Sequence, residues 1–550
     1  MTSGAQAAAL YLEMLAKWGD EAERRLTGQY ATLAWEADGT LRLARSAWRA
    51  PPLHYAVHRG SPFAASVLRA LFAAGILCEL DRDRVRDALF FDAAREGAND
   101  WYRGISHVPL GSVVRIRPDG TIETRRWYDP HAVTQTEERD PARWLERTQQ
   151  LVDEAAQVAG ARATKPAIAL SGGLDSPIAA AALARSWSSD EQILAITARP
   201  RVDWDGRLPG GKFGDDARYA REVAARHGLR WVETREGGSE LGLDDVFRAS
   251  QLTTPFMAFG GMMQATWRAA KAQGADWLFD ATIGNDTISA GGDWAIAEYF
   301  RGGRWGEVMR ALQHRRNDRR PGWRKFLSLA LLPLLPTNAQ SQIRRIFSRV
   351  PAEFADHSSM LRRQVVEDSG MTRRARRRAN AAGAGSRREM VDFAWAASDA
   401  GHADFILALE QVHGIASCDI LAYRPLVEHT LALPNEAFLH RGTDRWLARE
   451  LARGVMSEEQ RTTPLYGAHN ADWFLYATEQ RSASRELIAS IGEHHWLGDL
   501  LDIPRMQKLL DDWPDRTPVD PERIWPLASG LANAMSLARF VGHVERSNAF

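Results

Sequence analysis

A short apolar run that leads directly into paired glycines constrains this chain more than any other feature. Residues 167–176 read A-I-A-L-S-G-G-L-D-S, and the small-residue segment Pro177–Trp187 follows. Adjacent glycines permit a tight turn and let a ligand approach the backbone closely. The amides of such a turn, with those that open the next helix, form a cradle for an anion. The segment therefore predicts a strand, a phosphate-binding loop and a helix, with Asp175 placed to hold a hard divalent cation.

Helical and extended patterns alternate on both sides of this loop. The predicted helices are Pro141–Gln157, Pro177–Trp187, Asp215–His227 and Met257–Gln273. The predicted strands are Ala167–Leu170, Ile193–Ala198, Leu229–Thr234 and Trp277–Phe279. Strands separated by helices are typical of βαβ units, so we expect an α/β domain built on a parallel sheet.

The first 130 residues instead indicate a β-rich region. Hairpins are predicted around Asp38-Gly39, Gly60 and Asp119-Gly120, with short helices at Val67–Ala74 and Asp83–Ala94. The polar stretch Asp129–Asp140 is predicted to be a linker, and the chain beyond about residue 300 to be mainly helical. We therefore expect three regions, spanning residues 1–135, 136–300 and 301–550.

The amino-acid composition disfavours several classes of function. The 70 basic residues balance the 70 acidic ones, which disfavours a chain-wide surface for nucleic acid. Local arginine clusters at 315–320 and 373–388 are expected to be solvated faces or loops, with a patch for a polyanion or an acidic partner as the other interpretation. Cys78 and Cys418 are the only cysteines, too few for a disulfide scaffold or a cysteine-ligated metal cluster. The most apolar run, Phe326–Pro336, is shorter than the ~20 residues of a membrane span, and no signal peptide is evident. We expect a cytoplasmic protein.

The string SGGLDS resembles the pyrophosphate-binding loop of the N-type ATP pyrophosphatases, in the form found in asparagine synthetase and its relatives. The resemblance implies an adenine-nucleotide α-hydrolase-like domain in which ATP adenylates a carboxylate, pyrophosphate leaves, and an amine attacks the acyl-adenylate. It implies ATP and Mg²⁺ as cofactors. The strand end at Thr197 would offer backbone groups to adenine. The loop residues expected to bind the nucleotide are Leu170, Ser171, Gly172, Gly173, Leu174, Asp175 and Ser176.

A second glycine-rich loop supports the resemblance. Residues 280–292 read D-A-T-I-G-N-D-T-I-S-A-G-G, and the family carries a similar loop after its fourth strand. By resemblance, Asp175 and Asp286 are the Mg²⁺ ligands, and Thr282 and Gly284 belong to the nucleotide site. Ile283 stands where the family usually has glutamate, so asparagine synthesis itself is not expected. Asp215-Asp216 opens the next predicted helix, where N-capping and a ligand role remain equally open.

The N-terminal region resembles the glutaminase half of the same family, an N-terminal nucleophile fold. Residues 26–35 and 101–112 match its recurrent phrases. The glutaminase requires cysteine at position 2, where this sequence has Thr2, and few residues precede the first predicted strand. We expect a degenerate domain that produces no ammonia.

An adenylating domain with a degenerate glutaminase resembles two branches, the β-lactam synthetases and the macrolactam synthetases of lasso peptides. The latter are favoured by C-terminal phrases, which include His413-Gly414-Ile415, Asp419, Arg424–Glu428, Leu433-Pro434, Gly442–Arg445, Arg449 and Arg461–Trp473. The resemblance implies a leader-processed core peptide as substrate, with a leader peptidase and a leader-recognition protein as partners. We expect the peptide to lie in a cavity between the N-terminal sheet and the helical C-terminal region.

One cationic group of the family is absent. Asparagine and β-lactam synthetases carry a lysine that stabilises transition-state charge, but residues 454–480 contain none. Arg461 is the candidate replacement, since a guanidinium can hold developing negative charge; capping of a helix C-terminus is the other interpretation.

Other functions remain open at this stage. A β-lactam-type synthetase acting on a small amino acid is the nearest alternative. A scaffold that only binds a partner is disfavoured by the presence of both Asp175 and Asp286. An enzyme that modifies nucleic acid is disfavoured because no RNA-binding module accompanies the arginine clusters.

Overall fold

The protein is described here from a computed structural model. The structure describes residues 4–90, 101–235, 257–315, 318, 320–336, 339–340, 342–343, 359–369, 371, 385–399 and 402–546. Thr2 and most of the two arginine clusters lie outside these residues.

Antiparallel hairpins build the N-terminal region, as predicted. Two sheets have the orders β1-β2-β6-β7 and β4-β3-β5. Their strands are β1 (Ala31–Trp35), β2 (Leu41–Arg45), β3 (His54–His58), β4 (Ser61–Ala65), β5 (Ser106–His107), β6 (Ser112–Ile116) and β7 (Ile122–Arg126). In the turn between β1 and β2, Asp38 accepts the Thr40 amide and Gly39 has φ +82°, so the backbone enters the left-handed region where glycine is favoured.

Helices also occur in this region, where two were predicted at Val67–Ala74 and Asp83–Ala94; residues 91–94 lie outside the described part of the chain. They are α1 (Gly4–Trp18), α2 (Ala22–Arg25), α3 (Leu68–Ala73) and α4 (Arg82–Phe90). The helix α1 was not predicted, although its alanines and leucines favour helix. A buried ion pair between Glu23 and the Arg42 guanidinium, with N–O distances of 2.8 and 2.9 Å, holds α2 against β2.

A five-stranded parallel sheet forms the centre of the second region and confirms the α/β class. Its order is β11-β9-β8-β12-β13. The strands are β8 (Pro166–Ala169), β9 (Leu194–Ala198), β11 (Arg230–Thr234), β12 (Trp277–Asp280) and β13 (Ala416–Asp419), while β10 (Lys212–Phe213) lies outside this sheet. The helices that connect them include α5 (Pro141–Gly160), α6 (Asp175–Ser186), α7 (Ala217–Arg226) and α8 (Met257–Ala272).

The edge strand β13 comes from the region that was predicted to be mainly helical. It pairs with β12 in parallel register, so that Asp419 lies opposite Asp280. The strand therefore brings a late part of the sequence to the carboxyl edge of the sheet, beside the loops that follow β8 and β12.

Helices dominate the remainder of the chain, as predicted. They are α9 (Trp294–Arg301), α10 (Trp305–His314), α11 (Gly322–Phe326), α12 (Arg363–Asp368), α13 (Arg387–Asp399), α14 (His402–His413), α15 (Arg424–Ala432), α16 (Trp446–Leu451), α17 (Glu458–Thr462), α18 (Trp473–Glu479), α19 (Arg481–His494), α20 (Leu497–Leu500), α21 (Ile503–Asp511), α22 (Pro521–Ile524) and α23 (Ala532–Arg546). Short strands β14 (Leu439–His440), β15 (Thr443–Asp444) and β16 (Tyr466–Gly467) interrupt them, and β16 pairs with β10.

Two hydrophobic cores link the N-terminal region to the rest. The first contains Trp48 and Trp127 together with α5, α6 and the central sheet. The second joins α3 and α4 to α19 and α23. Within the described residues, no helix is both long and apolar enough to cross a bilayer.

Candidate active site

The glycine loop connects β8 to α6, as the sequence predicted. The loop begins at Leu170, whose amide donates to Ile196 of the adjacent strand β9 at 2.8 Å. The hydroxyl of Thr197 donates to the Leu170 carbonyl at 2.9 Å. Thr197 is buried, so its side chain supports the start of the loop, and the adenine contact expected of its backbone stays a prediction.

Two serine hydroxyls form hydrogen bonds within the loop. The Ser171 amide donates to Ser176 Oγ at 2.9 Å, and the two hydroxyl oxygens are also 2.9 Å apart. The Gly173 amide donates to Ser171 Oγ at 3.3 Å. The two serines therefore fold the chain back on itself around the turn, which positions backbone amides at the start of α6.

Asp216 holds the same loop from outside. Its Oδ1 accepts the Gly172 amide at 2.9 Å, while the neighbouring Asp215 caps α7 by accepting the Ala217 amide. A Cβ on Gly172 would lie 2.7 Å from Asp216 Oδ1, so a larger residue cannot occupy this position without displacing the carboxylate. Burial raises the pKa of Asp216 to about 6. Asp215 therefore has a capping contact and Asp216 a contact with the loop, while a ligand role for either residue stays a prediction.

Gln460 completes the support of the loop. Its Nε2 donates to the carbonyls of Gly172 and Gly173 at 3.2 and 3.3 Å, and the side chain is buried. Gln460 belongs to α17, far along the chain from the loop. No sequence pattern predicts a role for Gln460, because an isolated glutamine carries no motif.

The loops that carry Asp175 and Asp286 follow neighbouring strands and lie against each other. A Cβ on Gly284 would lie 2.5 Å from Asp175 Cγ, so only glycine allows this approach. Asp286 lies near enough to raise the pKa of Asp175 through its charge. The structure therefore brings together Asp175, Gly284 and Asp286, and Thr282 lies in the same 3₁₀ turn (Thr282–Asp286).

Burial outweighs the stabilisation that nearby groups give the charged forms of the two carboxylates. Burial raises the pKa of Asp175 to about 6 and also raises that of Asp286. Asp175 Oδ1 is buried without a hydrogen-bond partner. A cation would satisfy this oxygen, and the donor type suits Mg²⁺. In the described part of the chain, no group of three or more His, Cys, Asp or Glu residues is placed to hold a metal ion.

Asp419 and Arg49 support the second loop. The Asp419 carboxylate accepts the Ile283 amide at 2.8 Å and the Leu421 amide at 3.1 Å. Arg49, from the N-terminal region, lies with Nε 3.5 Å from Asp419 Oδ2. The positive charge of Arg49 opposes the pKa increases that burial causes at Asp286 and Asp419. The sequence offered no signal for Arg49, because its position in the site depends on how the two regions meet.

A second cation approaches from the loop before α16. Arg445 has φ +52° and lies over the Tyr466 ring, 4.5 Å from its centroid. One of its terminal nitrogens is 3.4 Å from Asn285 Oδ1, and its charge lowers the pKa of Asp175. Its buried Nε has no hydrogen-bond partner. Arg445 is thus the cation that the structure places beside the paired carboxylates.

Arg461 is held differently. Its Nε and Nη2 donate to the two oxygens of Glu458 at 2.9 and 2.7 Å. Its Nη1 contacts Glu450 Oε1 at 3.3 Å and the Arg449 carbonyl at 3.2 Å. The whole guanidinium is therefore engaged by neighbouring groups, and its predicted catalytic role remains a prediction.

The two thiols have environments that suppress reactivity. Burial raises the pKa of Cys78 to about 11 and that of Cys418 to about 12. Because the thiolate is the nucleophilic form, neither cysteine is activated for attack on glutamine.

Cavities adjoin the site among the described residues. One, about 240 Å³, lies between the N-terminal region, β13 and α14, and includes Arg49 and Asp419 in its lining. The larger, about 460 Å³, lies between the segment before β10 and the C-terminal helices.

Comparison with known families agrees with this geometry. Residues 147–539, more than half of the chain, match the family model described as asparagine synthase. Residues 5–128 match the model described as a glutamine amidotransferase domain. A search of curated proteins gave no significant match.

Proposed function

The chain belongs to the asparagine synthase family of ATP-dependent ligases, and we propose that it closes the macrolactam ring of a lasso peptide. ATP adenylates an Asp or Glu side chain of the core peptide, with release of pyrophosphate. The peptide's own N-terminal amine then attacks the activated carbonyl, which forms an isopeptide bond and releases AMP. The observation that carries the proposal is the glycine loop of residues 170–174 set against Asp175 and Asp286, in a chain whose thiols are not activated.

The loop would act on the leaving group. The amides of Ser171, Gly172 and Gly173 donate to groups of the protein, so the first amides of α6 would be the donors to pyrophosphate, where negative charge accumulates as the bond to the α-phosphorus breaks. Asp175 and Asp286 would hold Mg²⁺, which neutralises phosphate charge when bound. Gln460 and Asp216 fix the loop from two sides, so the donors need little reorganisation during the reaction.

The amine would come from the substrate. The raised pKa values of Cys78 and Cys418 leave no thiol suited to hydrolysis of glutamine. An amine within the substrate removes the need for ammonia and is also more effective, because an intramolecular attack is favoured over a bimolecular one. The N-terminal region would then serve the synthetase site through Arg49.

The partners follow from this chemistry. The substrate would be a precursor peptide whose leader has been removed, since the leader would otherwise block the N-terminal amine. A leader peptidase and a leader-recognition protein would act before this enzyme, in the cytoplasm, and nucleic acid would have no part in the reaction.

The test is reconstitution with a leader-free candidate peptide, ATP and Mg²⁺. We expect AMP and pyrophosphate in equal amounts and a peptide product lighter by one water, whether or not glutamine is present. ADP and orthophosphate as the only nucleotide products would exclude the proposal. Glutamate release from glutamine would contradict the proposed source of the amine. Turnover of a single amino acid in place of the peptide would indicate a β-lactam-type synthetase.

A further inference from the structure

The larger cavity lies beyond the nucleotide loop, on the side of the C-terminal helices. Its walls are mainly apolar and aromatic, and they include Trp473, Trp513, Trp525, Leu527 and Met535. The volume of about 460 Å³ is comparable to that of ligand pockets that enclose most of a drug-sized molecule. Uncharged polar side chains, among them Asn470, Gln480 and Ser536, also contribute to the lining.

The charged side chains that line the larger cavity are basic. Arg207, Lys212 and Arg539 contribute to the lining, and no aspartate or glutamate does so among the described residues. Arg207 Nε already donates to the Thr517 carbonyl, whereas Lys212 is exposed and makes no ion pair with any residue that the structure describes. Burial and the charge of Lys212 lower the pKa of His469, so that side chain is neutral and adds no charge. The cavity therefore favours an apolar occupant that also carries an anionic group.

A buried polar atom points to the same conclusion. The side chain of Ser536 is 8% exposed, and its Oγ has no hydrogen-bond partner. A buried hydroxyl without a partner is costly unless a ligand or water satisfies it. Because Ser536 lines the cavity, an occupant with a hydrogen-bonding group would remove this cost.

The larger cavity shares one wall with a smaller cavity beside the nucleotide loop. The segment 468–471 lines both this cavity and a smaller one that includes Ala198, Asp216 and Thr234. Asp216 is the residue that holds the Gly172 amide. An occupant of the larger cavity would therefore be separated from the adenylation site by a single stretch of chain.

We propose that this cavity binds an apolar, aromatic segment of the peptide substrate that carries a carboxylate. This assignment rests on the proposed function for the identity of the substrate as a peptide. The apolar walls take the side chains, while Lys212 and the neighbouring arginines attract the carboxylate. The site selects a peptide over a free amino acid, because a single small amino acid would fill little of the cavity and leave its walls hydrated.

The test measures binding directly, without ATP, by isothermal titration calorimetry. The probe is a synthetic hexapeptide of two phenylalanines, one tryptophan and three serines with a free C-terminal carboxylate. We expect it to bind the wild-type chain about tenfold more tightly than the same peptide with a C-terminal amide, or than a version with alanines in place of the aromatic residues. Equal affinities for all three peptides, or no binding at all, would overturn the assignment.

Variants of residues that line the larger cavity test whether the peptide probe binds there. Ala532→Trp, which fills the cavity from α23, and Lys212→Gln, which removes an exposed charge, should each weaken binding of the acidic probe about tenfold. Arg516→Gln, an exposed arginine outside the lining, should leave it unchanged. Binding of a non-hydrolysable ATP analogue should be equal in all variants and reports that they are folded.

The outcomes separate this assignment from the ring-closing function. If the probe binds in the cavity but leader-free peptides produce no AMP, the cavity assignment stands and the proposed function fails. If peptides produce AMP while Lys212→Gln and Ala532→Trp bind the probe as wild type does, the function stands and the cavity assignment fails.

Discussion

Asp175 and Asp286 lie in surroundings that disfavour their charged forms. Burial raises the pKa of both, and Asp175 Oδ1 lacks a partner. Removal of either carboxylate should therefore cost little stability, since an uncompensated buried charge is itself unfavourable. We expect Asp175→Ala and Asp286→Ala each to abolish AMP formation while the melting temperature stays near that of wild type. Asp190→Ala, in an exposed loop, is the matched control. Near-native activity with Mg²⁺ in either site variant would contradict its assignment as an ion ligand.

Arg445 and Arg461 offer a paired test of which cation serves the reaction. Arg445 lies near Asp175, whereas Glu450 and Glu458 hold the Arg461 guanidinium. We expect Arg445→Ala to lower kcat by about 10²–10³, the usual cost of a lost transition-state donor, with a smaller effect on the KM for ATP. Arg461→Ala should change kcat less and lower the melting temperature more. A larger loss of kcat in Arg461→Ala would favour the assignment made from the sequence.

At the scale of elements, the junction between the glycine loop and α7 predicts a pH-dependent stability. Burial raises the folded-state pKa of Asp216 from 3.8 to about 6. The folded protein therefore binds this proton more tightly than the unfolded chain does, so the contribution of Asp216 is most favourable below pH 4 and is lost as pH rises towards 6.

Asp216→Asn tests this reasoning. The amide oxygen can still accept the Gly172 hydrogen bond, but the buried charge is gone. We expect the variant to be more stable than wild type above pH 6 by up to about 3 kcal/mol, with the difference shrinking below pH 4, as measured by chemical denaturation. A constant difference across this range would show that Asp216 has no shifted pKa.

The elements differ in how much their sequences reveal. The hairpin at Asp38-Gly39 and the strand of residues 166–169 carry strong local signals, and both were predicted. The strand β13 was missed because it has four residues, two of them polar, and is defined by pairing with β12 rather than by its own pattern. The helix α1 was not predicted although its composition favours helix, because it precedes the first hairpin of a region whose later pattern is β-rich.

The residues of the candidate site also divide into those that a sequence motif predicts and those that it does not. Asp175 and Asp286 lie within glycine-rich motifs, so the sequence identified them and their neighbouring loops. Arg49, Arg445 and Gln460 have no such motif, and tertiary contacts alone bring them to the loops. Arg49 and Arg445 also have positive φ angles, which are uncommon for residues other than glycine and are not encoded by a local pattern.

At the scale of the whole molecule, Arg49 connects the N-terminal region to the candidate active site of the second region. It pairs with Asp419, which in turn fixes the Ile283 amide at the start of the Asp286 loop. We expect Arg49→Ala to lower kcat for AMP formation about tenfold or more, because a buried carboxylate loses its counter-charge. Removing both partners in Arg49→Ala/Asp419→Asn should cost less than the sum of the single changes.

Arg59→Ala is the control for this prediction, since Arg59 is exposed and also has a positive φ. Additive effects of Arg49→Ala and Asp419→Asn on kcat would mean that the two residues act independently and that the N-terminal region does not position the second loop.

The two shared hydrophobic cores determine how the protein loses its structure. Each core draws side chains from both the first 130 residues and the later chain, so melting either part exposes apolar surface on the other. Cooperativity should therefore extend over the whole chain, and calorimetry should record a single transition rather than one per domain. A protease that cuts the linker of residues 133–140 should leave two fragments that remain associated until they unfold together.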